Sequence, residues 1–397
     1  MLLSHKLGGR FALSNVAQIL SLALLFLAFP RVLRARDVIV IVFSVASVVL
    51  AAVHVAVTYG YRASVSHGLY FLVAAVYLLV VFRLSKEHGA GEAFLLGLRR
   101  AIPLALVVML VYLAFDVAAG LPYPRLGFDD NSHTSIAACL LAFAALRFMR
   151  SPLRLLVGVS FFAISLITYS RMPFFFAPFF VVAFVVEYSK VRRRATEAWQ
   201  VYLAHLLVGV TVLIPLVLAR NASDLFGAVG RVLAPGDATN ASTSAHLVLL
   251  SLGAQLKLEN IGNLVLGITP GGFSGVIVAS DVDLTTFAVR DPTAYSTMLE
   301  GSAPLHSTFG SIALELPVWL VLLLGALLVR TLYLLVVKRD VVLASFLVAL
   351  IAATTFYSSH NELYFVVGLA MVTAAAYSVA PPPGTATTGR RPIESAQ

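Results

Sequence analysis

Apolar runs of about twenty residues, the length an α-helix needs to cross a hydrocarbon core, recur along this chain between short polar stretches. They fall near 11–29, 38–58, 67–84, 101–119, 132–148, 154–169, 172–189, 199–219, 311–335, 341–357 and 362–379. The pattern predicts an all-α, polytopic integral membrane protein with about eleven transmembrane helices. One interval interrupts it: from about Arg220 to Glu315 the chain is polar for roughly ninety residues and ends in His306-Ser-Thr-Phe-Gly-Ser-Ile-Ala-Leu-Glu315. The expected organisation is a single membrane domain over 1–380, with one long loop at about 220–310. Residues 381–397 open with Pro381-Pro-Pro-Gly-Thr-Ala-Thr-Thr-Gly and read as a disordered tail.

Composition strengthens the membrane reading. Of 397 residues, 60% are hydrophobic and only 12% charged, and the mean hydropathy is +0.93, well outside the soluble range. The net charge of +9 does not point to nucleic acid, because the basic residues sit in short clusters between apolar runs, as the positive-inside rule requires of cytoplasmic loops. Those clusters are Arg31, Arg34 and Arg36; Arg83, Lys86, Arg99 and Arg100; Arg147, Arg150 and Arg154; Lys190 with Arg192 to Arg194; Arg330, Lys338 and Arg339; and Arg390 and Arg391. They predict a cytoplasmic C-terminus and a long loop on the opposite, extracytoplasmic side. The start, with Lys6 and Arg10 before an apolar stretch, resembles a signal peptide but lacks a small-residue cleavage site, so it is read as a first span. Cys139, the one cysteine, lies in an apolar run and supports neither a disulfide framework nor a thiolate metal site.

With this topology, Asp116, Arg125, Asp129, Asp130, Asn131, His133 and Ser170-Arg171 share the outer side with the long loop. Arg171 sits in a five-residue link between two spans, at the headgroup boundary. An arginine there costs about 2.5 to 3.5 kcal/mol on insertion scales unless it meets protein, water or an anion. Its fork matches phosphate oxygens in bidentate geometry, while snorkelling to lipid phosphates is the plainer alternative. In the loop, Arg231 and Arg290 could add charge to an anion site or belong to an ordinary solvated surface. Gly267-Ile-Thr-Pro-Gly271-Gly272-Phe273 allows either a tight turn or close backbone approach to a ligand. His306, just before a helix expected to begin near Ser307, could take a proton from a sugar hydroxyl or serve structure alone. Asp129, Asp130 and His133 have metal-like spacing but lack a recognised ligand set, so no metal is expected.

The order of these features resembles the O-antigen ligase and O-antigen polymerase superfamily. That family's pattern is an Asn near the start of a middle helix, Ser-Arg at an outer helix boundary, a glycine-rich turn in a long outer loop, and then a histidine with a glutamate nine residues later. The counterparts are Asn131, Ser170-Arg171, Gly267 to Phe273, His306 and Glu315, over residues 131 to about 330. Three positions depart from the pattern: Ser307 replaces Asn, Thr269 stands at the second Gly, and Pro317 stands where Gly is common. The family's further arginine has no counterpart in Ser242-Thr-Ser-Ala-His246; Arg231 matches an earlier one.

The resemblance implies a lipid-dependent glycosyltransferase architecture in a bacterial inner membrane, with no cofactor. Such an enzyme moves a glycan from an undecaprenyl pyrophosphate carrier to an acceptor hydroxyl, alongside polysaccharide-export partners. His306 and Glu315 would be catalytic. Arg171, Arg231 and Arg290 would bind the pyrophosphate, supported by Asn131, Ser170, Gly267 and Gly271. A polymerase of an exported polysaccharide is preferred to a ligase acting on lipid A-core. A lipid-linked glycan transporter and an inactive scaffold of an export complex are the readings from other classes.

Overall fold

The structure, a computed structural model, describes residues 6–7, 11–62, 65–87, 90–121, 123–128, 130–149, 153–194, 241–300, 305, 307–355, 357 and 363–378. Apart from a two-residue pairing of β1 (Lys6–Leu7) with β2 (Phe11–Ala12), the regular structure among these is helical. The long helices are α1 (Leu13–Ala28), α2 (Ala35–Tyr59), α3 (Val65–Glu87), α4 (Ala90–Ala118), α5 (Asn131–Phe148), α6 (Leu153–Ile167), α7 (Met172–Arg194) and α8 (Ala241–Leu258). Short helices follow: α9 (Ile261–Leu266), α10 (Phe273–Ala279), α11 (Thr285–Arg290), α12 (Pro292–Leu299) and α13 (Thr308–Glu315). The chain returns to the bundle with α14 (Val318–Val337), α15 (Val341–Thr355) and α16 (Leu363–Tyr377).

Among the described residues, five helices, α2, α3, α4, α7 and α14, are long and apolar enough to cross a membrane. Others of the predicted runs form shorter helices. Helices α6 and α15 have 15 residues each, and at 1.5 Å rise they cover about 22 Å of a core of about 30 Å, the remainder falling to their flanking residues. The run at 199–219 lies outside the described residues, as do 195–240 generally and the tail from 379.

Two expectations change. The run at 311–335 is not one helix: Leu316 is extended and Pro317 precedes α14, because proline lacks the N–H for an intrahelical bond and pushes its predecessor out of the α region. And the interval expected as a loop is largely helical from Ala241 onward.

The core is built around α5, which is buried from Thr134 to Leu146 except at Leu141. Its alanines (Ala137, Ala138, Ala142, Ala144 and Ala145) let neighbouring backbones approach closely, the usual solution where lipid removes the hydrophobic drive between helices. Phe143 fills the centre, with ring centroids 6.3 Å from Phe176, 5.6 Å from Phe180 and 5.5 Å from Phe346. The outer helices do the reverse. Val57, Leu104, Phe115 and Leu322 are each more than 60% exposed, which suits hydrocarbon and would be an aggregation surface in water.

Polar contacts sort the helix ends into two sets. At one end Arg83 pairs with Asp37, joining the end of α3 to the start of α2. There Arg147 Nε meets Asp340 at 2.6 Å, Arg154 Nη1 meets Glu187 at 2.9 Å, and Lys338 donates to the carbonyls of Ala375 and Ser378. Gly91, at the start of α4, lies against both Ser85 and Ser378. The described basic clusters therefore gather at one end of the bundle. At the other end α8 to α13 form a cap with its own apolar core, into which α2 inserts Val55. Tyr59 anchors it: its hydroxyl donates to Glu259 at 2.5 Å and accepts from Asn260 and Asn263 at 2.9 and 2.6 Å.

Removing Asp37 leaves a buried guanidinium without its carboxylate. Asp37→Ala is expected to cost about 3 kcal/mol or more, and Asp37→Ala with Arg83→Met to recover most of that, read from unfolding midpoints in detergent. A double variant no more stable than the single one would show that the pair does not carry this end.

Candidate functional site

The turn between α6 and α7 starts where Thr168 Oγ1 bonds back to the Ser165 carbonyl at 2.7 Å. Tyr169 then takes a left-handed conformation, φ 53°, rare for a bulky residue, and reverses the chain. Ser170 caps α7, its Oγ accepting from the Met172 amide at 3.2 Å, a role short hydroxylated side chains fill well. The half-buried Arg171 is thereby fixed at the entrance to α7. Helix α5 begins beside it: Asn131 Nδ2 donates to the Thr168 carbonyl at 2.9 Å, and Ser170 Oγ donates to Ser132 Oγ at 3.2 Å. Asn131, Ser170 and Arg171, forty residues apart at the extremes, thus share one place.

A second chain of contacts runs from α5 to α13. His133 Nδ1 lies 2.7 Å from the Tyr364 hydroxyl, and its ring is 5.2 Å from that of Tyr357. The Tyr357 carbonyl accepts from both the amide and the hydroxyl of Thr308, at 3.2 and 3.0 Å. Ser307 caps α13 by accepting from the Gly310 amide at 2.9 Å. His306 lies outside the described residues, but its neighbours are held: Leu305 and Ser307 are both buried. The start of α5 therefore meets the turn before α7 through Asn131 and Ser132, and reaches the start of α13 through His133 and Tyr357. Helix N-termini carry positive partial charge and free amides, so the gathering favours an anion, although Asp130 already occupies the α5 amide of Ser132. Asp116 shapes the approach, accepting from the Arg125 and Leu126 amides at 2.8 and 2.7 Å.

Glu315, the last residue of α13, is buried beneath the glycine turn. Its carboxylate accepts from the Gly271 amide at 3.0 Å and from the Phe273 amide. Gly267 runs against the backbone of Glu315: a Cβ there would lie 2.5 Å from the Glu315 carbonyl oxygen, and its φ is 78°. Lys257 completes the clasp, donating to the carbonyls of Leu314 and Leu316 at 3.3 Å each, where cations suit the end of a helix. Burial lowers its ammonium to about 8. Burial likewise raises the Glu315 carboxyl to about 7, against the opposing pull of the two amides.

The structure thus brings together two groups of the expected residues: Asn131, Ser170 and Arg171 in one, and Gly267, Gly271 and Glu315 in the other. Helix α13 joins them, with the His306 position at its start and Glu315 at its end. Arg290 is elsewhere, exposed at the end of α11, and Arg231 lies outside the described residues, as does Asp129. Sequence reasoning did not single out Tyr357 or Tyr364 and assigned Lys257 no role. None has a local motif, and His133 carried only its position on the expected outer side and a spacing from Asp129 and Asp130 that matches no recognised ligand set. No protein-family model matches the chain, and no curated protein matches it.

The Glu315 carboxyl supplies a pH test. Because its folded value is raised from 4.5 to about 7, its stabilising contribution is full below about pH 4.5 and lost as pH rises through about 7, a swing of about 3 kcal/mol. Glu315→Gln keeps an acceptor for the turn amides without the charge. It is expected to flatten the pH dependence of hydrogen exchange in 267–273 and to slow exchange at pH 8. Unchanged pH dependence in the variant would show that another group governs the turn.

Proposed function

We propose that this chain is a membrane glycosyltransferase that polymerises or ligates an undecaprenyl-pyrophosphate-linked oligosaccharide on the outer face of a bacterial inner membrane. A polymerase of an exported polysaccharide is preferred, since nothing in the sequence points to a lipid A-core acceptor. The supporting observation is the packing of Asn131 and Ser132, at the start of α5, against Thr168 and Ser170, which fixes Arg171 at the entrance to α7, at the end opposite the basic clusters. In this reading the basic end faces the cytoplasm, about eleven helices span the bilayer, and the cap of α8 to α13 lies outside.

The three departures from the superfamily pattern stand at a helix cap, a turn and a helix break. Ser307 caps α13 as an asparagine would. Thr269 has φ 66°, the left-handed conformation that glycine favours. Pro317 keeps α13 and α14 apart.

The chemistry follows from the arrangement. The acceptor hydroxyl oxygen attacks the anomeric carbon, the bond to the pyrophosphate oxygen breaks, and the carrier pyrophosphate leaves with the electron pair. Arg171 would hold that pyrophosphate and stabilise the charge that grows on it. His306 would orient the acceptor and take its proton. Glu315, with its carboxylate committed to the turn amides, would act by positioning α13. Arg231 and Arg290 would add positive potential from the outer segment.

The test is genetic. In a strain deleted for the gene, wild type is expected to restore long glycan chains, whereas Arg171→Ala and His306→Ala, expressed at equal levels, leave single repeat units exported. Carrier-linked polymer that never reaches an acceptor would identify a ligase instead. Full complementation by both variants would remove the assignment.

A further inference from the structure

At the end of the bundle opposite this site, the starts of α4 and α6, the ends of α5, α7 and α16, and the turn between α14 and α15 enclose a cavity of about 680 Å³. Five cationic side chains and three carboxylates line it, leaving an excess of positive charge. Two of the carboxylates are committed to neighbours. Asp340 holds Arg147 at 2.6 Å, and Glu187, almost fully buried, divides its two oxygens between Arg154 at 2.9 Å and Lys190 at 2.6 Å.

Arg154 is consequently half used. Its Nη1 meets Glu187, whereas Nε and Nη2 are buried and have no hydrogen-bond partner among the described residues. Those two atoms form the side-on edge of the guanidinium, the fork that takes two oxygens of a phosphate or carboxylate. A buried donor pair left unmade is costly, and a charged one more so. Glu187 cannot relieve it, since both of its oxygens are engaged. Arg339, which also lines the cavity, is exposed and makes no ion pair among the described residues. The cavity opens where helix ends emerge from the apolar bundle, at the level where basic pockets between helices meet headgroups.

We propose that this cavity is a binding site for a phosphate-bearing anion, gripped by the free edge of Arg154 and neutralised further by Arg339. Contact with the anion requires the buried edge of Arg154 to turn into the cavity that this side chain lines. The volume exceeds what a bare phosphate needs, so the phosphate arrives with an organic substituent, either as an anionic lipid headgroup or as a soluble phosphate monoester. The site lies apart from the outer candidate site and does not depend on the glycosyltransferase reading.

Full-length protein in a neutral detergent can be titrated with phosphatidic acid, and with diacylglycerol as its phosphate-free counterpart, under native mass spectrometry. Inorganic phosphate can be titrated separately by calorimetry. Wild type is expected to bind phosphatidic acid in preference to diacylglycerol. Arg154→Lys, which keeps the charge and loses the fork, and Arg154→Gln should weaken binding by about tenfold or more. Arg62→Gln, at the capped end, should not. Arg339→Asn, which suits the left-handed backbone there (φ 55°), should weaken binding without disturbing the Arg154–Glu187 pair, so it decides the matter if Arg154→Gln fails to fold. Binding of phosphatidic acid without any response to inorganic phosphate assigns the site to a lipid headgroup. An Arg154-dependent response to inorganic phosphate assigns it to a soluble anion. Wild type that binds neither, or binding unchanged in Arg154→Gln and Arg339→Asn, overturns the proposal.

Discussion

A carboxyl group buried under a glycine turn holds the capped half of this protein in register. Glu315 accepts from the Gly271 and Phe273 amides, and the same turn brings Gly267 into contact with the Glu315 backbone. The turn can come that close only because Gly267 and Gly272 lack a Cβ; at Gly272 one would lie 2.3 Å from the Ile268 carbonyl oxygen. The bond fixes the end of α13, and with it the direction of a helix whose start abuts Tyr357. Isolated from water, such a carboxylate is costly unless hydrogen-bonded. The turn amides and the carboxylate therefore depend on each other.

Around that clasp the molecule has two ends of different chemistry. At the basic end, guanidinium and ammonium groups are matched to carboxylates across helices that are distant in sequence, as in Arg147 with Asp340 and Arg154 with Glu187. At the capped end the contacts are made by hydroxyls, amides, an imidazole and tyrosines: Asn131, Ser132, Ser170, His133, Tyr364 and Thr308. Helix α5 links the two, and its buried alanines and Phe143 leave little freedom for one end to shift without the other, because close-packed interiors transmit displacement.

How much of this was legible in the sequence depended on the range of the interaction. Hydropathy located the long apolar helices outside the 241–300 interval, since a span is a local property of about twenty residues, and the start of α13 near Ser307 was readable from its place before an apolar run. Hydropathy did not register the break at Pro317, because Leu316 and Val318 on either side are as apolar as the run they interrupt. The association of Asn131 with Ser170 and Arg171 followed from charge counting along the chain. The Lys257 contact to Leu314 and Leu316 had no sequence signal, because it joins a side chain to backbone carbonyls that any residue could supply. Tyr357 is of the same kind: its carbonyl receives Thr308, and no spacing rule announces a carbonyl.

Two residues beside α13 hold their places through backbone conformation and capping. Thr269 takes a left-handed conformation, φ 66°, at a cost of about 1 kcal/mol for an L-residue. That cost is sustained by the bonds on either side, from Ile268 to the Leu314 carbonyl and from Gly272 to the Thr269 carbonyl, which would both be lost if the residue relaxed. Ser307 supplies the acceptor that caps α13. Backbone conformation and capping, followed along α13 and the turn that clasps it, therefore decide how this end of the chain is held.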